Sequence, residues 1–227
     1  MTKTKKGQEL NVGKAIVGTE TFLEKNSKLL FGAIIAIAII TGGYFGYKYL
    51  YIAPREEKAQ AAIFVGQTLF EEGNFDQALN GDNKGFTGFI KAADQYSGTK
   101  TANLLNAYIG LSYKALGKTA QAIEALNDFN SDDEMISPAI LGALGNCYVD
   151  AGDLEKGVSF LEKAAHKADN SSLSPIFLRQ AGLVLEKQGQ NDKALALYEE
   201  IKNKYYNVGM SLEIDKYIER ATAATQK

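Results

Sequence analysis

Four pairs of glycines recur along this chain with the members of each pair seven residues apart: Gly66 and Gly73, Gly110 and Gly117, Gly145 and Gly152, Gly182 and Gly189. Four residues before each second glycine stands a bulky residue (Leu69, Tyr113, Tyr148, Leu185), and five residues after it a small one (Ala78, Ala122, Gly157, Ala194). Self-similarity of this kind restricts a chain to architectures in which each unit stacks on its neighbours. The residue types read as helix–turn–helix. The first glycine falls mid-helix, at a cost of about 1 kcal/mol relative to alanine, which is tolerable where two helices touch with no side chain between them. The second glycine ends the helix, where a left-handed backbone residue is wanted. Polar residues then turn the chain (Asn74, Lys118, Asp153, Gln190), and the small residue lets a second helix lie close to the first. Apolar positions follow at helical spacing: Ile123, Leu126 and Phe129; Val158, Leu161 and Ala165; Leu195, Tyr198 and Ile201.

Unit lengths agree with this reading. Gly110 to Gly145 is 35 residues and Gly145 to Gly182 is 37, whereas Gly66 to Gly110 is 44, so the first unit carries extra residues. Ser137-Pro138 and Ser174-Pro175 each read as the opening of a first helix, with serine as N-cap and proline at the first helical position. The polar stretches 130–134 and 169–172 read as loops between units. In the first unit Asn80-Gly-Asp-Asn-Lys-Gly interrupts the second helix, and Asp82 occupies the position of Leu126, Leu161 and Tyr198. A displaced helix resuming near Thr87 is expected there. Ser211 is expected to cap a last helix with Ile214, Tyr217, Ile218 and Ala221 on one face, covering the open end of the stack. The segment Leu111-Ser-Tyr-Lys-Ala-Leu-Gly-Lys-Thr-Ala-Gln-Ala-Ile-Glu-Ala-Leu and its two successors resemble the tetratricopeptide repeat family, well over 103–208 and partially over 59–98. That family's units run ~34 residues.

A second feature lies before the repeats. Leu29 to Tyr47 holds no charged residue, Lys48 follows, and Tyr44, Tyr47, Tyr49 and Tyr51 gather at its far end. A helix needs ~20 apolar residues to cross a bilayer, which this run supplies if Lys48 snorkels toward the interface; the tyrosines suit the headgroup level. Residues 1–28 carry six lysines against three glutamates, so the N-terminus is expected in the cytoplasm and the repeats on the far side, the periplasm of a two-membrane bacterium. A cleaved signal peptide fits less well, because the segment before the run is long and no small-x-small site closes it. A buried soluble helix fits less well still, because the run is apolar on every face. Gly42 and Gly46 are four apart, a spacing that lets another membrane helix approach closely, against the plain reading that glycine is common in membrane helices. Residues 10–23 read as a weak interfacial helix or as nothing ordered.

Several function classes are disfavoured. Beyond Pro54 there are 18 basic and 24 acidic residues, a balance that repels phosphate backbones and argues against nucleic acid as a partner. The lone Cys147 excludes an intrachain disulfide and reads as a small buried residue. The lone His166 reads as a solvated helix position, no Cys/His cluster has metal spacing, and nothing sets a base beside a nucleophile. No enzyme activity, cofactor or metal is expected.

The expected fold class is all-α: an N-terminal transmembrane helix followed by a tetratricopeptide-repeat α-solenoid. The divisions are a cytoplasmic tail (1–28), the membrane helix (29–52), the interrupted unit (55–98), three repeats (99–208), and a capping helix and tail (209–227). By the geometry of the family it resembles, groove-facing candidates are Gln67, Phe70, Leu104, Ala107, Leu111, Lys114, Asn146, Asp150, Arg179 and Glu186. They lack the dense Lys/Asn cluster of tetratricopeptide domains that clamp a C-terminal carboxylate. In layout the chain resembles the YfgM-type ancillary subunits of the SecYEG translocon. That resemblance implies a bacterial inner-membrane protein whose partners are the translocon, a membrane-anchored peptidyl-prolyl isomerase-type chaperone, and emerging secreted polypeptides. The alternative is a scaffold of another envelope machine, for secretion, motility or division.

Overall fold

The computed structural model describes residues 12–82 and 85–226, and the chain divides into two compact units, Met1–Pro54 and Arg55–Lys227. The first unit consists of α1 (Val12–Gly46) and a π-helical stretch, Tyr47–Ile52. The interfacial segment expected at 10–23 is thus helical from Val12 onward, its first two residues lying outside the described ones. Along the uncharged run, Leu29, Phe31, Ile37 and Ile40 are all well exposed, and none of the most apolar window is covered. Among the described residues, one continuous helical run, Lys25–Glu71, contains a stretch long and apolar enough to cross a membrane. The aromatic side chains stack at the four-residue spacing of a helix face, Phe45 on Tyr49 (6.0 Å between centroids) and Tyr47 on Tyr51 (5.3 Å).

The second unit is a run of antiparallel helix pairs. First helices are α2 (Ala53–Glu71), α5 (Lys100–Ala115), α7 (Ile136–Asp150) and α9 (Ser174–Lys187). Their partners are α3 (Phe75–Asn80) with α4 (Phe89–Gln95), then α6 (Thr119–Asp128), α8 (Leu154–Ala168) and α10 (Asn191–Lys204). A short α11 (Tyr206–Ser211) leads to α12 (Ile214–Thr225), which packs on α10.

Each part of the glycine pattern has a physical role. At Gly110 a Cβ would fall 2.5 Å from Leu126 Cγ and 3.0 Å from the Leu126 backbone nitrogen, so the first glycine is where the paired helix presses in. At Gly182 the partner is the Tyr198 ring, and at Gly145 it is Leu161. The second glycine closes the helix in the left-handed region; Gly117 has φ +70°. Its N–H donates to Lys114 O (3.0 Å), and that of Lys118 reaches back to Tyr113 O (2.9 Å). This doubled C-terminal closure satisfies carbonyls the helix leaves open. The same two bonds recur at Gly73, Gly152 and Gly189, with Leu69, Tyr148 and Leu185 supplying the second carbonyl. The bulky residue four before the glycine is therefore the acceptor at the close of every first helix.

The first repeat solves its interruption by substitution. The chain leaves helix after Asn80 and resumes at Phe89, two residues beyond Thr87. Phe86 and Phe89 then fill the space over Gly66 that Leu126 fills over Gly110. Asp82 instead turns the loop, its carboxylate accepting from Phe86 N at 2.9 Å.

Two expectations are corrected. Ser137 and Ser174 are not N-caps. Asp133 Oδ1 accepts from Met135 N and Ile136 N, and Asn170 Oδ1 from Ser172 N and Leu173 N, which starts each helix earlier. Pro138 and Pro175 then fall inside the first turn, where backbone N–H groups have no intrahelical partner to lose. The buried serines instead tie each helix to the segment before it, Ser137 to the preceding loop and Ser174 to the end of α8 and the loop after it. Ser174 Oγ donates to Ala165 O (2.7 Å) and accepts from Asn170 N, and Ser137 Oγ donates to Ser131 O. Ser211 is likewise not the cap of α12: it ends α11, and Glu213, in the left-handed region (φ 52°), precedes α12.

Candidate functional site: the first-helix face

Stacked first helices present the extended concave surface of a helical solenoid. Adjacent first helices meet on it through side-chain amides. Gln67 on α2 donates to the Tyr108 hydroxyl on α5 (3.3 Å), and Asn146 on α7 donates to Gln180 Oε1 on α9 (3.3 Å). Between α2 and α5 the face opens into a groove of about 420 Å³ lined by Gln60, Gln67, Lys100, Thr101 and Leu104 over Ile63.

The sequence-derived candidates separate into three groups here. Gln67, Leu104, Leu111, Lys114, Asn146 and Asp150 remain at least partly exposed on the face. Ala107 is buried in the core with Ile140 and Leu144, and Phe70 packs edge-on against Phe75 and Tyr108 at 5.4 and 5.2 Å. Arg179 and Glu186 are engaged by α12: Arg179 donates to the Tyr217 hydroxyl (3.3 Å), and Arg220 Nε donates to Glu186 Oε1 (3.1 Å). The capping helix thus occupies the flank of α9 that the next repeat would take. In the other unit, a Cβ at Gly42 or Gly46 would meet nothing within 4 Å.

Two residues were missed. Ile176 and Leu183 are exposed on α9, 36% and 39%, and occupy the register of Leu104 and Leu111. The signal was available: Ile176 stands six residues before Gly182, as Leu104 stands before Gly110, and Leu183 follows Gly182 as Leu111 follows Gly110.

Cys147 is buried in the α5–α7 core, and burial pushes its thiol up, away from the reactive thiolate, with Lys114 only partly offsetting this. His166 is exposed on α8. Among the described residues no group of three or more His, Cys, Asp or Glu is arranged to hold a metal ion.

Helix pairs with these closures and this open face define a helical-repeat protein-interaction module. Three of the repeats match family patterns described as tetratricopeptide repeat, one pattern over residues 108–132 and 177–205 and a second of the same description over 138–165. Among solved structures, the chain is similar in fold to one titled "Crystal structure of MamA protein", at 20% identity and a TM-score of 0.50, covering 75% of this chain and 89% of that one. No curated protein matches the chain.

Proposed function

We propose that this chain is a membrane-anchored adaptor whose tetratricopeptide module works on the side of the membrane opposite its lysine-rich N-terminus. One observation carries the anchor: a helix apolar on every face whose residues 31–40 are all exposed. A soluble core helix would be buried, and an uncovered apolar helix is stable in a bilayer. The six lysines before it favour a cytoplasmic N-terminus, and the acidic, charge-mixed repeat unit is then periplasmic.

Layout supports a role beside the Sec translocon. A short tail, one inner-membrane span and a capped repeat stack match the YfgM-type arrangement, with the module held where secreted chains emerge and a membrane-anchored isomerase-type chaperone docks. Gly42 and Gly46 are the positions at which another membrane helix would approach the anchor, since among the described residues a Cβ added at either meets nothing within 4 Å. The test is crosslinking in intact membranes followed by mass spectrometry. Recovery of translocon subunits supports the assignment, and recovery of cell-wall or outer-membrane factors alone replaces it with a scaffold in another envelope machine. Cysteine labelling near Lys3 and near Lys227 tests the topology separately.

A further inference from the structure

The two ends of the stack are finished differently. At the far end α12 covers α10, with the Tyr217 ring 5.4 Å from that of the buried Tyr198. At the near end α2 turns an exposed flank outward. Phe64 is 70% and Val65 45% exposed there, with Glu57, Lys58, Ala61 and Thr68 exposed beside them. The end of a soluble solenoid needs a polar outer face, and an uncovered phenylalanine is the opposite of one. A groove of about 610 Å³ runs along the same flank, lined by Ala61, Ala62, Val65, Phe86, Thr87 and Tyr96. The apolar knob and the apolar groove therefore lie side by side on one helix, the arrangement of a surface that complements itself.

We infer that this flank is a two-fold interface with a second copy of the chain, the two α2 helices running parallel. Successive residues on an α-helix are turned by about 100°. Relative to a contact line through the small Ala61, Phe64 and Glu57 lie about 40–60° to one side, and Val65 and Lys58 about 40–60° to the other. In a parallel pair whose two-fold axis runs along the helices, each side of that line faces the opposite side on the partner. Phe64 therefore enters the partner's groove at Val65, and Glu57 meets the partner's Lys58, both contacts occurring twice. An antiparallel pair centred on Ala61 would instead set Phe64 on Glu57 and Val65 on Lys58, apolar against charge. Of the other charges on α2, Arg55 and Glu56 are committed to the turn between α4 and α5, and Glu71 is turned about 80° off the line. The parallel orientation rests on the anchor proposed above, since copies held in one membrane meet the same way up; the pairing itself goes beyond the adaptor reading. Fewer side chains take part than the about 20–30 a side of a free-standing interface, so the pairing depends on the anchors to raise the local concentration.

The test uses the full chain in intact membranes. Ala61→Cys, on the contact line, forms a disulfide-linked dimer under mild oxidation, and Gln60→Cys, turned about 100° away, does not; the buried Cys147 supplies no background. Adding Phe64→Ser to Ala61→Cys lowers the yield at least about tenfold, the effect of losing one buried phenylalanine per copy. Phe64 is exposed in the single chain, so that variant keeps its fold. In liposomes, association is read by energy transfer between labels on a cysteine introduced near Lys227. It weakens about tenfold for Glu57→Lys alone and for Lys58→Glu alone, since each sets like charges across both contacts. It returns when the two variants are mixed, because the mixed pair restores both attractions, a rescue that misfolding cannot imitate. Equal disulfide yields from Ala61→Cys and Gln60→Cys, disulfides of Ala61→Cys with a different protein only, or no rescue on mixing overturns the inference. A dimer without translocon crosslinks overturns the Sec assignment alone; translocon crosslinks without the dimer overturn the pairing alone.

Discussion

Glu56 and Thr101 are 45 residues apart in the chain and joined by two hydrogen bonds, from Thr101 Oγ1 (2.7 Å) and Thr101 N (3.2 Å), while Lys100 N donates to the same carboxylate at 2.7 Å. Its neighbour Arg55 donates to Gln95 O at 2.7 Å. Two consecutive residues thus hold both ends of one turn, the cation at the C-terminus of α4 and the anion at the N-terminus of α5, each on the side its charge favours.

Glu56→Ala therefore leaves two α5 amides without their acceptor and costs about 1–2 kcal/mol, in the range of a lost N-cap. Thermal unfolding followed by circular dichroism reads this as a lowered Tm. Glu56→Gln keeps an acceptor oxygen and falls between Glu56→Ala and the parent. Equal melting of all three proteins would show that the carboxylate does not hold the turn.

The two glycines of a pair should respond differently to a methyl group. Gly110→Ala places Cβ against Leu126 and its backbone, which cannot withdraw, so overpacking costs about 2–3 kcal/mol. Gly117→Ala meets nothing within 4 Å and carries only the strain of φ +70°, about 1–2 kcal/mol. Chemical denaturation of the two variants ranks them, and a reversed order would remove close helix approach as the reason for the first glycine.

Nearly all of the helix pairing was legible because its cause is local. A left-handed closure needs glycine, and a close approach needs glycine or alanine, so both leave marks at fixed spacing. Helix starts were read less well: Ser137 and Ser174 have the composition of caps, but the carboxylate of Asp133 and the amide of Asn170 lie nearer the first free N–H groups and take that role. For the candidate site, the sequence orders residues along each helix but does not say which of those positions stay open. Arg179 and Glu186 fall at groove positions in their own helix, but whether such a position is open depends on Tyr217 and Arg220, more than 30 residues away on α12. No pattern within α9 reports that contact.

The capping helix should be the point at which the stack first opens. Tyr217 packs on Tyr198 (5.4 Å between centroids), accepts from Arg179 and lies under the Arg220 guanidinium at 5.0 Å. Tyr217→Ala removes all three contacts and costs about 2–3 kcal/mol. It uncovers the buried Tyr198 and Ile201, so limited proteolysis cuts near Val208 sooner than in the parent. Unchanged cleavage kinetics would mean that α12 is held by its other contacts.

Acid should loosen the loops between units before it affects the core. Hydrogen bonds from the Ile136 and Met135 amides hold the Asp133 carboxyl below its ordinary value, and the bond from Lys204, with its charge, does the same for Asp169. A carboxyl depressed in the folded state adds stability above its unfolded pKa and loses it as pH falls through the folded value. Both contributions are therefore present at neutral pH and disappear below about pH 4, the unfolded carboxylate range. Lys204, raised by the same pair, behaves oppositely: its share is complete below the unfolded lysine value and is lost as pH rises through the folded one. Tm measured from neutral pH down to strong acid should fall less steeply below pH 4 for Asp133→Asn and Asp169→Asn than for the parent, because an asparagine does not titrate. Asp169→Asn also tests the backbone, since residue 169 sits at φ 41° and asparagine tolerates that region as well as aspartate does. A loss of stability in that variant at neutral pH that high salt reproduces in the parent belongs to the Lys204 pair, because salt screens an exposed ion pair and leaves φ unchanged.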